Sequence, residues 1–187
     1  MKTNPALLVG GIAAVATAAT GCSHRPEAPR RPMNILYIMT DDHTSQMMSC
    51  YDDRYASTPN LDRIAREGVR FTNSFVANSL SGPSRACMLT GKHSHANGYT
   101  DNTFCAPFDA SQQTFPKLLR GAASGTAAVG KGHLGSLPPG FDSWEGVPGQ
   151  GDHYNPPFIR QSGDTPLGAA HLTNTNHTRT HRWLENA

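Results

Sequence analysis

Short apolar runs that alternate with polar and turn-forming stretches predict a chain of strands and helices. Residues 34–39 are almost continuously apolar, which predicts a strand buried on both faces of a parallel sheet. Residues 58–68 begin with Thr-Pro, carry apolar residues at helical spacing and end in Gly, so they predict a helix. Residues 69–76 alternate apolar and polar positions and predict a second strand. This alternation predicts an α/β fold.

The second half of the chain is less regular. Residues 114–120 predict a short helix with its apolar side chains turned inward, and residues 126–129 predict another buried strand. From residue 138 onward, clustered Pro and Gly predict loops. Residues 163–182 are polar and contain three His that indicate no particular site, and a piece of helix is predicted around residues 183–185.

Composition narrows the class of protein. The 187 residues carry a formal net charge of +2 and 16% charged residues, so nothing marks the chain as a binder of nucleic acid. Its 18 Gly and 14 Pro suit a single α/β enzyme unit rich in loops. Three cysteines follow Cys22, namely Cys50, Cys87 and Cys105, and this odd number predicts no disulfide framework.

The first residues predict export. Met1-Lys2 and the Ala-rich run over residues 6–20 have the charged start and short apolar core of a signal peptide. Residues 19–22, Ala-Thr-Gly-Cys, resemble a bacterial lipoprotein cleavage box, although an ordinary signal peptide with a chance Cys is the alternative. We therefore expect a lipoprotein signal peptide over residues 1–21, a lipid on Cys22 and an extended tether over residues 22–32. The protein would then be lipid-anchored in the bacterial cell envelope, facing the periplasm or on the outer-membrane surface.

Two polar clusters follow predicted strands. Asp41 and Asp42 come directly after the first strand, where ligands bind at the carboxyl edge of an open α/β sheet. Their oxygens favour Ca²⁺ or Mg²⁺, but a solvated turn explains this dipeptide equally well. Lys131 and His133 follow a later strand at the same edge and supply a positive charge and a proton donor or acceptor. His43 is a possible neighbour of this site, but a surface position explains it better.

Residues 81–91, Ser-Gly-Pro-Ser-Arg-Ala-Cys-Met-Leu-Thr-Gly, predict a short helix that begins at Ser81 and stops at Gly91. Helical spacing brings the Ser81 hydroxyl and the Arg85 guanidinium together one turn apart. Free N–H groups at the helix start and the Arg fork would attract a sulfate or phosphate. The alternative is that Ser81 only caps the helix and Arg85 is solvated.

The order of residues 81–91 resembles the activation signature of the type I sulfatases. In that family the first residue of the signature, a Cys or a Ser, is converted to formylglycine. The resemblance extends back through Thr-Pro-Asn-Leu-Asp at residues 58–62 and forward to Gly-Lys-Gly-His-Leu-Gly at residues 130–135. It implies the alkaline-phosphatase-like sulfatase fold, a mostly parallel sheet flanked by helices, and a serine-type maturase that oxidises Ser81.

The resemblance also implies roles for individual residues. Asp41, Asp42 and the modified residue 81 would bind Ca²⁺, Arg85 and Lys131 would neutralise the sulfate, and His133 would contact the formylglycine, so the implied site comprises those six positions. Gly132 departs from the family pattern, which usually has Trp there. A missing ring would leave a hole that costs stability.

Residues 148–156, Pro-Gly-Gln-Gly-Asp-His-Tyr-Asn-Pro, resemble a loop of bacterial N-acetylglucosamine-6-sulfatases. Gln150, Asp152 and His153 would then bond sugar hydroxyls, although plain loop packing explains each of them as well. The expected activity is hydrolysis of the sulfate ester of a sulfated glycan, with 6-O-sulfated N-acetylglucosamine as the substrate. Sulfatases are usually much longer, so residues 33–187 are expected to form only the N-terminal part of the catalytic domain.

Two other functions remain open at this point. A phosphohydrolase of the alkaline-phosphatase group would share the sheet and the metal edge, but it would use an unmodified Ser or Thr and two zinc ions. A truncated, non-catalytic lipoprotein that only binds sulfated glycans is the second alternative. A His-x-His pair at His93 and His95 lacks the further ligands of a zinc site, so we expect it to be structural or to face substrate.

Overall fold

The computed structural model describes residues 33–103, 107–168 and 170–186. It divides the chain into two compact units, Met1–Met39 and Thr40–Ala187. The predicted signal peptide, the tether, Cys22 and Cys105 lie outside the described residues.

Residues 33–39 are the described part of the first unit, and they form no regular secondary structure. Ile35, Leu36 and Ile38 are 72%, 63% and 69% exposed. The prediction of a buried strand over residues 34–39 is therefore wrong. An apolar run becomes a strand only through hydrogen bonds to a neighbouring strand, and the described residues 33–39 take part in no such ladder.

The second unit alternates helices with a small sheet. In chain order its elements are a 3₁₀ turn at Ser45–Met47, α1 at Pro59–Glu67, α2 at Ser81–Thr90, α3 at Ser94–Asn97, α4 at Phe115–Gly121, β1 at Ala127–Lys131, β2 at Ser143–Val147, β3 at Ile159–Arg160 and α5 at Leu172–Asn186. None of the helices in the described part of the chain is long and apolar enough to cross a membrane.

Helix α1 confirms the prediction from residues 58–68. Pro59 stands in its first turn, and the Ser49 hydroxyl donates to Asp62 over 2.8 Å, which ties the helix to the preceding loop. The strand predicted over residues 69–76 is wrong, because these residues have no strand pairing and Phe71 and Phe75 are 69% and 92% exposed.

The sheet has the order β1-β2-β3. Strands β1 and β2 are parallel, in register from Ala127 opposite Ser143 to Lys131 opposite Val147, and β3 joins β2 antiparallel. Strand β1 confirms a strand near residues 126–129, but its five residues are half-buried rather than buried as predicted. Strand β2 lies in a segment that the sequence predicted as loop, because its Ser-Trp-Glu-Gly-Val has neither an apolar run nor a clear alternation.

The core of the second unit joins α2 to the segment that follows β1. Ala86 of α2 packs with Tyr99, Phe108 and Leu134, all of which are buried. The rings of Tyr99 and Phe108 meet edge to face with centroids 6.2 Å apart, and the Phe108 N–H donates to the Leu134 carbonyl over 2.9 Å. The helix that carries Ser81 is thereby fixed against the end of β1.

Two further helices differ in detail from the predictions. Helix α4 is present, but Phe115 and Leu118 are 38% and 60% exposed, so the inward orientation predicted for these two residues is wrong. Leu119, also predicted to point inward, is half-buried, and Pro116 is buried. Helix α5 extends far beyond the predicted residues 183–185. It is attached by Arg179, which pairs with Glu145 of β2 and stacks on the buried Phe158 ring at 4.1 Å.

Candidate active site

Ser81 is the first residue of α2. Leu80 is the N-cap and provides no side-chain capping bond, so the alternative in which Ser81 merely caps the helix is wrong. The helix ends where predicted, at Gly91, whose backbone is left-handed (φ 67°) and whose N–H donates to the Cys87 carbonyl over 2.8 Å.

The backbone N–H groups in the first turn of α2 are largely occupied. The Gly82 N–H donates to Asn102 Oδ1 over 3.0 Å, Pro83 has no N–H, and the Ser84 N–H donates to the Leu80 carbonyl over 2.8 Å. The predicted anion site at a free helix N-terminus is therefore wrong for these three positions.

Arg85 joins α2 to β1 and to Asp41. Its Nε lies 3.4 Å from Ser81 Oγ, one turn back along the helix, which confirms the predicted meeting of the two side chains. One terminal nitrogen donates to the Lys131 carbonyl over 2.6 Å, and the other lies 3.6 Å from Asp41 Oδ1. The side chain is 13% exposed, so the alternative of a solvated Arg85 is wrong.

Lys131, the last residue of β1, forms one cluster with Ser81, Arg85 and Asp41. Its Nζ donates to Asp41 Oδ2 over 2.5 Å and to Gln150 Oε1 over 2.6 Å, and its side chain is only 12% exposed. The hydrogen bond from Lys131, together with the positive charges of Lys131 and Arg85, holds the pKa of the Asp41 carboxyl below its usual range. Asp41 is thus an anion shared by two cations.

His133 lies directly after β1 and is 6% exposed. Its backbone is left-handed (φ 50°), and its carbonyl would lie 2.8 Å from a Cβ added at Gly82, so the first turn of α2 approaches it closely. Burial lowers the pKa of His133, and the positive charges of Lys131 and Arg85 lower it further against the opposing effect of Asp41. A neutral imidazole is therefore favoured at pH 7.

The predicted calcium ligands have suitable chemistry but are few. Asp41, Asp42 and residue 81 offer oxygen donors, whereas Ca²⁺ takes about six to eight. Asp42 has an exposed side chain on a left-handed backbone (φ 51°), and both oxygens of Asp41 face cations. No group of three or more His, Cys, Asp or Glu side chains within the described residues is arranged to hold a metal ion. These residues fit part of a calcium shell.

The other candidate residues, apart from Gln150, make no described contact with this cluster. Asp152 is exposed, and the ring of His153 stacks on His171 with centroids 6.1 Å apart. His93 and His95 stack on each other at 5.8 Å. Of the residues predicted to bond sugar, the structure brings only Gln150 to the cluster, and there it contacts Lys131 rather than open space.

Two residues at the site were missed by the sequence analysis. Asn102 accepts the Gly82 N–H, and the Tyr99 ring lies 2.7 Å from the position of a Cβ at Gly82. Their only signal in the sequence is the turn-forming Asn, which indicates a loop rather than a site. A Cβ added at Gly132 would meet nothing within 4 Å. The stability cost predicted for the missing ring stays a prediction.

The sequence of this chain is similar to those of several known proteins. The family model described as Sulfatase matches residues 33–186. An N-acetylglucosamine-6-O-sulfatase from Bacteroides thetaiotaomicron is 53% identical over 161 residues, which is 84% of this chain and 28% of the relative. The human N-acetylgalactosamine-6-sulfatase is 38% identical over 68% of this chain and 27% of its own length. The chain thus spans little more than a quarter of these relatives.

Two solved structures are also similar to this chain. A protein solved in complex with its substrate D-glucosamine-2-N,6-O-disulfate superposes with a TM-score of 0.77 at 49% identity, over 84% of this chain and 32% of that one. Ps i-CgsB, solved in complex with k-i-k-neocarrahexaose, superposes with a TM-score of 0.63 over 69% of this chain and 36% of its own. At 23% identity the second likeness shows the fold alone.

The close approach at Gly82 gives a test of the site geometry. An added Cβ would lie 2.7 Å from Tyr99 Cε1 and 2.8 Å from the His133 carbonyl oxygen. We expect Gly82→Ala to destabilise the fold by about 1–3 kcal/mol, although Ala is otherwise the better helix former. The matched control is Gly132→Ala, which has open space. Chemical denaturation measures both; equal stability of the two variants would contradict the contact.

Proposed function

This chain belongs to the sulfatase family, and from that premise we propose that its site hydrolyses the 6-O-sulfate ester of an N-acetylglucosamine unit. One observation carries the proposal. Two poorly exposed cations, Arg85 and Lys131, converge on Asp41, and Arg85 also contacts Ser81. Arginine and lysine at one point form a receptor for a tetrahedral oxyanion such as sulfate.

Ser81 is the proposed nucleophile precursor. Sulfatases of this family generally depend on formylglycine and Ca²⁺, and we propose that a serine-type maturase oxidises Ser81 by removing two hydrogens. The hydrated aldehyde at residue 81 would supply covalent catalysis: one hydroxyl would displace the sugar alcohol from sulfur, and the second would lose its proton as sulfate departs and the aldehyde re-forms, so no stable serine sulfate ester would remain. Residue 81 is well placed for this, because it begins a helix whose first turn is held by Asn102 and Arg85.

The surrounding side chains take complementary roles in this proposal. Arg85 and Lys131 bind the sulfate oxygens and stabilise the charge that develops on them during transfer. Burial lowers the pKa of His133 and so favours its neutral form at pH 7, and in this proposal it would accept a proton from residue 81. Asp41, Asp42 and residue 81 would hold Ca²⁺, which would supply further positive charge to the sulfate.

The choice of substrate follows the relatives. The relative with 53% identity is an N-acetylglucosamine-6-O-sulfatase, and the solved protein with 49% identity has D-glucosamine-2-N,6-O-disulfate as its substrate. Both act on glucosamine sulfated at O6. Asp152 and His153 remain proposed sugar contacts. Gln150 has a different first role, because its Oε1 accepts from Lys131.

Of the two alternatives, membership of the sulfatase family removes support for a phosphohydrolase. A non-catalytic protein that binds sulfated glycans remains the competing proposal. Measuring both turnover and glycan binding distinguishes sulfate-ester hydrolysis from binding without catalysis.

The decisive experiment measures sulfate release from 6-O-sulfated N-acetylglucosamine. Two proteins are compared after maturase treatment: the 187-residue chain, and the Bacteroides relative with its matching segment replaced by residues 33–186 of this chain. We expect turnover by the chimaera and little by the chain alone, because its three oxygen donors do not complete a calcium shell. In the chimaera, Ser81→Ala should reduce turnover at least about a hundredfold.

The matched control is Ser84→Ala, the other serine of the signature, which should preserve turnover. Peptide mass spectrometry must show residue 81 lighter by two hydrogens in the active protein. Turnover that survives Ser81→Ala would overturn the mechanism. Glycan binding without turnover, in a folded and modified chimaera, would favour the non-catalytic alternative.

A second experiment separates the two roles of Gln150. If Gln150 holds Lys131, Gln150→Met should raise the rate at which an amine-specific acylating reagent modifies Lys131 severalfold, because the ammonium loses an acceptor 2.6 Å away. Asp152→Asn, in the same loop, is the control and should leave the labelling unchanged. Peptide mass spectrometry of the chain gives the rates. Unchanged labelling of Lys131 in Gln150→Met, with weaker sugar binding, would return Gln150 to its predicted sugar contact.

We also propose that Cys22 carries a lipid that anchors the protein in the bacterial envelope. Support comes from residues 1–22 alone, which have a charged start, a short apolar run and Ala-Thr-Gly-Cys. Cell fractionation should find the protein with membranes and its Cys22→Ala variant in the soluble fraction. Identical fractionation of the parent protein and the Cys22→Ala variant would contradict the lipid anchor.

A further inference from the structure

Helix α5 carries a pair of histidines that the proposed function does not use. His177 and His181 are exposed and stand one helical turn apart, with ring centroids separated by 6.0 Å and planes inclined by 42°. One turn further on, Glu185 Oε1 lies 3.3 Å from His181 Nδ1. The three side chains therefore follow one another along a single face of the helix.

We propose that this face of α5 binds a divalent late transition metal, Zn²⁺ in the simplest case, through the imidazoles of His177 and His181. The Glu185 carboxylate lies 3.3 Å from His181 Nδ1, and a proton that it holds on Nδ1 would leave Nε2 with the lone pair that a metal requires. A carboxylate on the far nitrogen of a ligating histidine fixes the ring and increases its basicity. Glu185 is thus a positioning residue, and the two histidines are the ligands.

The helix provides most of the required geometry. Zinc–nitrogen distances of about 2.0–2.1 Å with tetrahedral angles place the two ligating nitrogens roughly 3.3 Å apart. Rings with centroids 6.0 Å apart reach that separation by small side-chain rotations, which exposed histidines make freely. Because four-residue spacing on a helix is the arrangement in which two histidines chelate one zinc, the backbone needs no rearrangement.

The chemistry of the donors selects the metal. Imidazole suits Zn²⁺, Ni²⁺ and Cu²⁺, whereas Ca²⁺ prefers oxygen donors such as Asp41. Arg182 and Thr178 line the same depression, and the positive charge of Arg182 opposes a bound cation. Two protein ligands beside that charge make the site weaker than a closed structural zinc site, with water in the remaining positions.

Other histidine pairs of the chain provide the comparison. His93 and His95 have rings 5.8 Å apart, but their planes are nearly parallel (8°) and they are two residues apart, so they stack rather than converge on one point. His153 and His171 are stacked at 6.1 Å and belong to separate segments. Of the ring pairs described, His177 and His181 alone have the helical spacing of a chelate.

The test is calorimetric titration of Zn²⁺ into the complete 187-residue chain at pH 7.5. We expect one site that His177→Ala and His181→Ala each weaken more than tenfold, and that Glu185→Gln weakens about tenfold because the ring loses its carboxylate partner. The double variant His93→Ala/His95→Ala is the matched control and should bind as the parent does. Circular dichroism checks that each variant keeps its helices.

Absence of zinc binding, or binding that is lost in the control and kept in folded His177→Ala, would overturn the site. Ca²⁺ in place of Zn²⁺ should give no heat that depends on His181. The inference is independent of the sulfatase activity, so Ser81→Ala should titrate like the parent. A failure of one proposal can therefore be distinguished from a failure of the other.

Discussion

Arg85 connects the three parts of the chain that form the site. Its guanidinium reaches Ser81 on its own helix, the Lys131 carbonyl at the end of β1 and the carboxylate of Asp41. These contacts form only because α2 lies against the segment after β1. Gly82 permits the close approach of the two backbones, and Ala86 packs in the core. The position of residue 81 therefore depends on packing as much as on charge.

Two cations that are about seven-eighths buried need a partner, because removing a charge from water is unfavourable unless an opposite charge or hydrogen bonds compensate. Asp41 provides this partner for both Arg85 and Lys131, and Gln150 adds a neutral acceptor. A sulfate ester offers the same kind of oxygen atoms. In the proposed function the sulfate would exchange contacts with Asp41, so the two cations would already be desolvated and only the sulfate would lose its water.

The local features of this architecture could be predicted from the sequence, and the features that depend on distant partners could not. Helix α2 was predictable because Pro83 and Gly91 mark its ends. The apolar runs at residues 34–39 and 69–76 were misread because a strand needs a neighbour that no local pattern supplies. Helix α5 was largely missed because Thr, Asn and His are weak helix formers, and tertiary contacts of Arg179 with Glu145 and Phe158 attach it.

The same division applies to the site. Helical spacing alone predicted that Ser81 and Arg85 meet, whereas the roles of Lys131, His133 and Asp41 required resemblance to a family. The contact between Gln150 and Lys131 could not be predicted from either source, because it depends on the course of a loop with two left-handed glycines, Gly149 and Gly151. That loop brings an amide oxygen to the Lys131 ammonium, one of the two cations that contact Asp41. A residue whose resemblance predicted a sugar contact therefore holds a cation instead, and this contact ties the position of the loop to the end of β1.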